Sequence, residues 1–343
     1  MLAFLRLTRP LNLLIIVFTM VAMRYGVVRG FLAESTTELQ ALAPDPAVAI
    51  FEAVPANTFV QPFPALLFWL LVLSTVLIAA GGNVINDYFD TRIDRVNKPG
   101  AVIVGRSVKR RVAMMGHVVL TAAGVLLGAL VAWRSGRLVL VLIPLFAAGA
   151  LWAYSTRLKR TFLVGNGLVA LLVAMVPLSV GLYEIPALMD RYGGRAEGVA
   201  FTGEPVEIVF GFQGLWAWIL GFSLFAFLTT LVREIQKDMA DIRGDREDGC
   251  RTIPIVMGIP WAKAISLLYL GIAIVALLLV RASFLTDRFS YWYIGAGLVV
   301  PLLLSAGFTY GASSRQGFIT AGNILKLAMA IAVAFAFFIR QTL

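Results

Sequence analysis

The sequence predicts an all-α integral membrane protein with nine transmembrane helices, and three observations carry that reading. Of its 343 residues, 60% are hydrophobic and only 14% are charged, whereas soluble domains run about 45–50% apolar and about 25% charged. Mean hydropathy is +0.88. The apolar residues fall into stretches of about 20, the length a helix needs to cross a hydrocarbon core. A soluble protein with a large core would need polar helix faces, which these stretches lack.

The spans are expected near 10–30, 64–88, 111–133, 138–156, 162–183, 214–237, 261–281, 290–310 and 318–339. Arg6 and Arg9 precede the first, which carries no cleavable signal pattern and is long enough to span and stay. Segment 32–63 then holds Glu34, Glu38, Asp45 and Glu52 and no Lys or Arg. After the second span come Arg92, Arg95, Lys98, Arg106, Lys109, Arg110 and Arg111. A tight turn with Arg134 and Arg137 joins the third span to the fourth, whose exit carries Arg157, Lys159 and Arg160. Segment 184–213 is mainly acidic, with Glu184, Asp190, Glu197, Glu204 and Glu207 against Arg191 and Arg195. Arg243, Arg246 and Arg251 follow the sixth span, and Arg315 follows the eighth. Basic residues mark cytoplasmic loops, so the N-terminus and the even-numbered exits are expected inside and the C-terminus outside. The outer segments 32–63 and 184–213 suggest no role by composition.

Other classes drop out quickly. The net charge of +10 lies in short loops, where orientation signals belong, and no domain remains to bind nucleic acid. Cys250 is the sole cysteine, so there is neither a disulfide framework nor a thiolate metal site. His117 is also alone and reads as a packed or hydrogen-bonded residue.

Two span ends carry the same acidic spacing. Asp87, Asp90 and Asp94 follow Asn86 at the end of the second span; Asp238, Asp241 and Asp245 follow Lys237 at the end of the sixth. A separation of i, i+3 and i+7 puts all three acids on one helical face. Like charges stacked in this way repel, and a divalent cation gives a reason to place them twice. Mg²⁺ takes oxygen ligands and commonly binds jointly with substrate phosphates. The second and sixth spans run in the same direction, which implies two similar halves about an axis along the membrane normal, plus one extra span. Six ionised aspartates with two Mg²⁺ and a diphosphate still leave a large negative balance. The cations within reach are Arg9, Lys98, Arg106, Lys159, Arg160 and Lys237.

These residues resemble the UbiA superfamily of intramembrane prenyltransferases. The likeness rests on Asn86-Asp87-x-x-Asp90-x-x-x-Asp94, Lys237-Asp238-x-x-Asp241-x-x-x-Asp245 and Arg9-Pro10, with Tyr154-Ser155, Leu158-Lys159-Arg160 and Gly165-Asn166 at the fourth-to-fifth junction. It implies a single polytopic domain over 1–343, with helices around a central cavity. The cytoplasmic mouth would hold two Mg²⁺ and a prenyl diphosphate, and the tail would run into the apolar interior. It further implies metal ligation by Asn86, Asp87, Asp90, Asp94, Asp238, Asp241 and Asp245, with Asp90, Asp94, Asp241 and Asp245 catalytic. Substrate contacts would come from Arg9, Asn86, Lys98, Arg106, Tyr154, Lys159, Asn166 and Lys237. Many members have a second Arg-Pro pair after the first motif; here Ala101 stands at that Arg, leaving Lys98 or Arg106 to fill its place.

The second motif, continued by Gly249-Cys250-Arg251-Thr252-Ile253-Pro254, most resembles the digeranylgeranylglyceryl phosphate synthase branch. That branch joins geranylgeranyl diphosphate to geranylgeranylglyceryl phosphate, giving an ether lipid precursor. The alternative within the family is prenylation of an aromatic ring in quinone biosynthesis. The alternative from another class is a cation-coupled transporter, although transporters hold their acids near the bilayer midplane rather than at span ends. The expected partners are a prenyl diphosphate donor, a lipophilic acceptor and the lipid bilayer of a bacterial or archaeal cell membrane. Neither nucleic acid nor an obligate protein partner is expected.

Overall fold

The computed structural model describes residues 2–33, 60–100, 102–193, 195–199, 205–209 and 211–341. A short helix, α1 (Leu2–Leu7), precedes the first span, α2 (Pro10–Ala33). Then come α3 (Ala65–Phe89), the short α4 (Thr91–Asn97), α5 (Arg110–Arg134), α6 (Leu138–Thr156) and α7 (Val164–Tyr192). An antiparallel pair, β1 (Arg195–Val199) and β2 (Pro205–Val209), sets Glu197 opposite Glu207 and leads to α8 (Gln213–Glu247). One turn, α9 (Ile253–Val256), precedes α10 (Ile259–Phe284), α11 (Arg288–Gly311) and α12 (Arg315–Ile339). Among the described residues, nine helices are long and apolar enough to cross a membrane, in the order expected from sequence. The hairpin is an addition that the acidic composition of segment 184–213 does not announce.

Close packing and a few buried polar contacts set the helices against one another. α3 lies tightly on α5, where a Cβ at Gly124 would fall 2.9 Å from the Ser74 carbonyl oxygen. Ser74 Oγ donates to the Gly124 carbonyl at 2.7 Å in that gap. Small residues at such crossings let backbones approach where no hydrophobic effect drives helices together. Gln236 of α8 donates to Ser305 Oγ (3.1 Å) and Thr309 Oγ1 (2.8 Å) of α11, and Ser305 Oγ donates to the Ala321 carbonyl of α12. These bonds fix the rotation of α8 and therefore which of its charges face inward. His117 is a packing residue, stacked on Trp152 with Nδ1 3.0 Å from the Gly81 carbonyl.

Three boundaries differ from the sequence expectation. α8 runs without a break from Gln213 to Glu247, so the whole second motif is helical. It ends where Gly249 takes φ +72° and Cys250 N bonds the Asp245 carbonyl at 2.8 Å. The first motif is not one straight helix: Asp90, at φ −80° and ψ −1°, divides α3 from α4.

The third difference concerns Glu184, expected in an outer loop. α7 continues to Tyr192 and buries Glu184 completely. Its partner is Arg24 of α2, whose Nη1 donates to Glu184 Oε1 at 2.6 Å and whose Nη2 donates to the Phe63 carbonyl at 2.7 Å. Arg24 sits in a π-helical stretch, Ala22–Val28, with its guanidinium 4.7 Å from the Phe68 ring centroid. The acid is tolerated inside because the cation meets it there. Of segment 32–63, residues 34–59 lie outside the described residues.

Candidate active site

The two acidic motifs face each other across one end of the bundle. Asn97, at the end of α4, joins them: its Nδ2 donates to the Asp241 carbonyl and its Oδ1 accepts from Gly244 N, both at 3.0 Å. Gly244 is required at that contact, since a Cβ there would lie 2.5 Å from Asn97 Nδ2. Lys98 then reaches Asp241 Oδ2 at 3.0 Å. Below the junction, Asp248 is held by Arg160 (2.7 Å) and Arg92 (3.6 Å). Arg160 is thereby committed to the scaffold.

Each motif repeats one pairing pattern. In the first, Asp87 accepts from Arg9 at 2.5 Å. Asp90 accepts from Lys159, and from Asn86 Nδ2 at 2.7 Å. In the second, Asp238 accepts from Asn166 Nδ2 at 2.8 Å, and Asp241 accepts from Lys98 and from Arg315 Nη2 at 3.3 Å. The last acid of each motif, Asp94 and Asp245, has no ion-pair partner among the described residues. Burial, followed by the charge of Asp90, pushes the Asp94 carboxyl above the ordinary carboxylate range. No three acidic, histidine or cysteine side chains converge on one metal position among the described residues, because lysines, arginines and amides hold the acids apart. The donor set still suits a hard cation. It is all oxygen, two acids are unpaired, and Asn86 Oδ1 is buried beside Asp90 without a hydrogen-bond partner.

Arg9 is held in strain. It takes φ 53° and ψ 66° directly before Pro10, a left-handed conformation that a non-glycine residue adopts at a cost of about 1–3 kcal/mol. That turn starts α2 and delivers the guanidinium to Asp87.

Inside the motifs lies a cavity of about 390 Å³, walled by α2, α3, α5, α6, α7, α8 and α12. Most of its wall is aliphatic or aromatic, reaching Tyr183 and Phe222 at its far side. Of the residues singled out from sequence, Arg9, Asn86, Tyr154 and Lys237 line it, while the motif aspartates stand around its end. Arg106 makes no hydrogen bond or ion pair with the motif acids among the described residues: it occupies an exposed turn, with Gly105 N bonded to the Val108 carbonyl. Sequence reading passed over the cavity-lining Arg233 and Lys326, the bridge Asn97, and Arg315 as a partner of Asp241. Charge inside a predicted span was the available signal for Arg233 and Lys326.

A membrane bundle with a long apolar cavity and clustered oxygen donors at one end defines an intramembrane site for an amphiphile with an anionic head. The chain belongs to the UbiA prenyltransferase family, whose model matches residues 53–330. It is 32% identical over 271 residues to digeranylgeranylglyceryl phosphate synthase of Thermococcus kodakarensis, covering 77% of this chain and 82% of that one. A UbiA homolog from Aeropyrum pernix K1 superposes with a TM-score of 0.60 at 15% identity, covering 94% and 98% of the two chains. A UbiA homolog from Archaeoglobus fulgidus bound to GPP and Mg²⁺ superposes with a TM-score of 0.51 at 16% identity, covering 99% and 100%. At such identities the two superpositions establish the fold.

Proposed function

We propose that the chain, acting as one polytopic domain, transfers a geranylgeranyl group from its diphosphate to the free hydroxyl of geranylgeranylglyceryl phosphate. The observation that carries this is the pair of facing acidic motifs at the end of an apolar cavity whose wall also bears four cations, Arg9, Arg233, Lys237 and Lys326, against one carboxylate, Glu234. A diphosphate needs the oxygen donors through metal and the cations directly, and the tail needs the aliphatic wall. The resemblance to the Thermococcus synthase supports the phosphorylated glycerol acceptor.

In this reading two Mg²⁺ would be held by Asn86, Asp87, Asp90 and Asp94 on one side and by Asp238, Asp241 and Asp245 on the other. Bound divalent metal supplies charge stabilisation to the departing diphosphate. Lys98, Lys159 and Arg315 neutralise the aspartates and would turn to phosphate oxygens where those acids are engaged by metal. Arg9, Lys237, Tyr154 and Asn166 orient the head. The allylic C–O bond breaks with its electron pair going to the diphosphate, the acceptor hydroxyl oxygen forms the new C–O bond and passes its proton to that diphosphate, and the dry cavity keeps water from the allylic carbon. Arg106 has no part in this assignment. The motif end faces the cytoplasm, as the basic loops around it support.

The test incubates purified protein in detergent with radiolabelled geranylgeranyl diphosphate, Mg²⁺ and, side by side, geranylgeranylglyceryl phosphate, 4-hydroxybenzoate and dihydroxynaphthoate. The expected product is the diether phosphate. Efficient prenylation of an aromatic ring with none of the glyceryl phosphate moves the chain to the quinone branch.

A further inference from the structure

We propose that Arg233 and Lys326 form a second anion subsite on the cavity wall, inside the acidic motifs, and that it takes the phosphate monoester of the acceptor lipid. This rests on the acceptor class argued above and names the residues that select it.

Lys326 lies on α12 about 16 Å from Arg315 at about 1.5 Å per residue, well within the span. It lines the cavity and has no ion-pair partner among the described residues. The charged residues that share the cavity wall with it are Arg9, Arg233 and Lys237, three cations, and one acid, Glu234. Arg233 faces it from α8: a Cβ on Gly322, one turn before Lys326, would lie 3.9 Å from Arg233 Cγ. Arg233 Nη1 and Lys237 Nζ lean on the same carboxylate, Glu234, at 2.9 and 3.3 Å. One acid thus serves two cations, and Lys326 adds a third that nothing balances.

A purely structural charge inside a span finds its counter-ion there, as Arg24 does in Glu184. An unpaired one marks a ligand path. The ligand is anionic and need not be held through metal, because the motif aspartates lie towards the mouth, the nearest on α8 being Asp238 about 7.5 Å beyond Arg233, and the one carboxylate beside the subsite, Glu234, is taken by Arg233 and Lys237. In a glycerol phosphate the phosphate sits within two carbons of the free hydroxyl. Its binding site must therefore adjoin the diphosphate site without coinciding with it. Lys237, one helical turn beyond Arg233 on the same face, is the boundary between the two.

The experiment measures equilibrium binding of geranylgeranylglyceryl phosphate and of its dephosphorylated form, geranylgeranylglycerol, to detergent-purified protein in EDTA without donor. Lys326→Met should weaken binding of the phosphate lipid at least tenfold and leave geranylgeranylglycerol within twofold. Lys326→Arg should recover the phosphate lipid to within threefold. In turnover assays, Lys326→Met should raise the acceptor KM at least tenfold and the donor KM less than twofold. Melting temperature, recorded alongside, should not fall, since Met removes an unpaired charge from a span. Equal weakening for both ligands, unchanged phosphate binding, a matching rise in donor KM or failure of Arg to recover binding overturns the subsite. If wild-type protein prenylates the phosphate lipid but Lys326→Met binds it normally, the subsite alone falls. If wild-type protein does not use the phosphate lipid at all, the acceptor reading falls, and the subsite with it.

Discussion

Replacing Asp241 with Ala separates chemistry from folding. The carboxylate is buried, but its partners Lys98 and Arg315 are 39% and 42% exposed at 3.0 and 3.3 Å. Exposed pairs contribute about 0–1 kcal/mol each, and the released cations can hydrate. The structural cost should therefore stay near 1 kcal/mol, and the variant should remain folded in the membrane. Catalysis has no such relief, because the second motif loses its middle oxygen donor while two cations are freed beside it. We expect at least a hundredfold loss of turnover, about 2.7 kcal/mol of barrier at about 1.36 kcal/mol per tenfold. The assay is transfer of radiolabelled geranylgeranyl at saturating Mg²⁺, paired with a detergent melting curve. Asp90→Ala should lose turnover to the same degree, but it strands Lys159, only 8% exposed, and should cost more stability than Asp241→Ala. More than a tenth of wild-type activity in both variants refutes metal ligation by these acids.

Exhaustive chelation should abolish transfer and Mg²⁺ or Mn²⁺ should restore it, since the site offers only hard oxygen donors; full activity in EDTA refutes the metal role. Because burial and Asp90 raise the Asp94 carboxyl, protons should compete with metal there at higher pH than at an ordinary Asp. The Mg²⁺ concentration for half-maximal rate should accordingly rise as pH falls, and Asp94→Asn should flatten that dependence. Single cysteines introduced at 97–105 and 246–249 in a Cys250→Ser background should label from inside only, and those at 35–60 from outside; outside labelling of either acidic loop overturns the orientation. Glu184→Gln strands the Arg24 charge at a site 4% exposed, so it should lower stability by about 3–5 kcal/mol, read as a drop in melting temperature, without changing KM in the folded fraction.

The span count and the two motifs were legible because each has a short-range signature: an apolar run of bilayer length, and acids at a fixed helical spacing. What sequence could not supply was long-range pairing. Nothing local says that Arg24 meets Glu184, 160 residues away, and without that pair Glu184 reads as a loop residue. Asn97 drew attention only as part of the run before Ala101, yet its amide ties the two motifs across 144 residues. Arg106 is a nearby cation in sequence; it stands exposed in the turn at 103–108, with no hydrogen bond or ion pair to the motif acids among the described residues. The break at Asp90 was hidden because i, i+3 and i+7 spacing is the same in a straight helix and a bent one.

Burial of the ion pairs differs between the ends of the bundle, and the difference decides which end can open. At the far end, the Arg24 and Glu184 side chains are 4% and 0% exposed and the guanidinium is also tied to the Phe63 carbonyl. Breaking that pair leaves a charge with no water to receive it, a cost of several kcal/mol. At the motif end Lys159 is enclosed beside Asp90, but Arg9, Lys98 and Arg315 each keep about two-fifths of their side chains exposed while paired to more buried motif acids. These cations can leave for a phosphate at little cost, and the acids they uncover are the groups a divalent metal needs. A site that must admit a metal-bound diphosphate repeatedly without losing its fold needs cheap pairs at its mouth and an expensive pair at its closed end. The same chain provides both through where its charges sit along α2, α7 and α8.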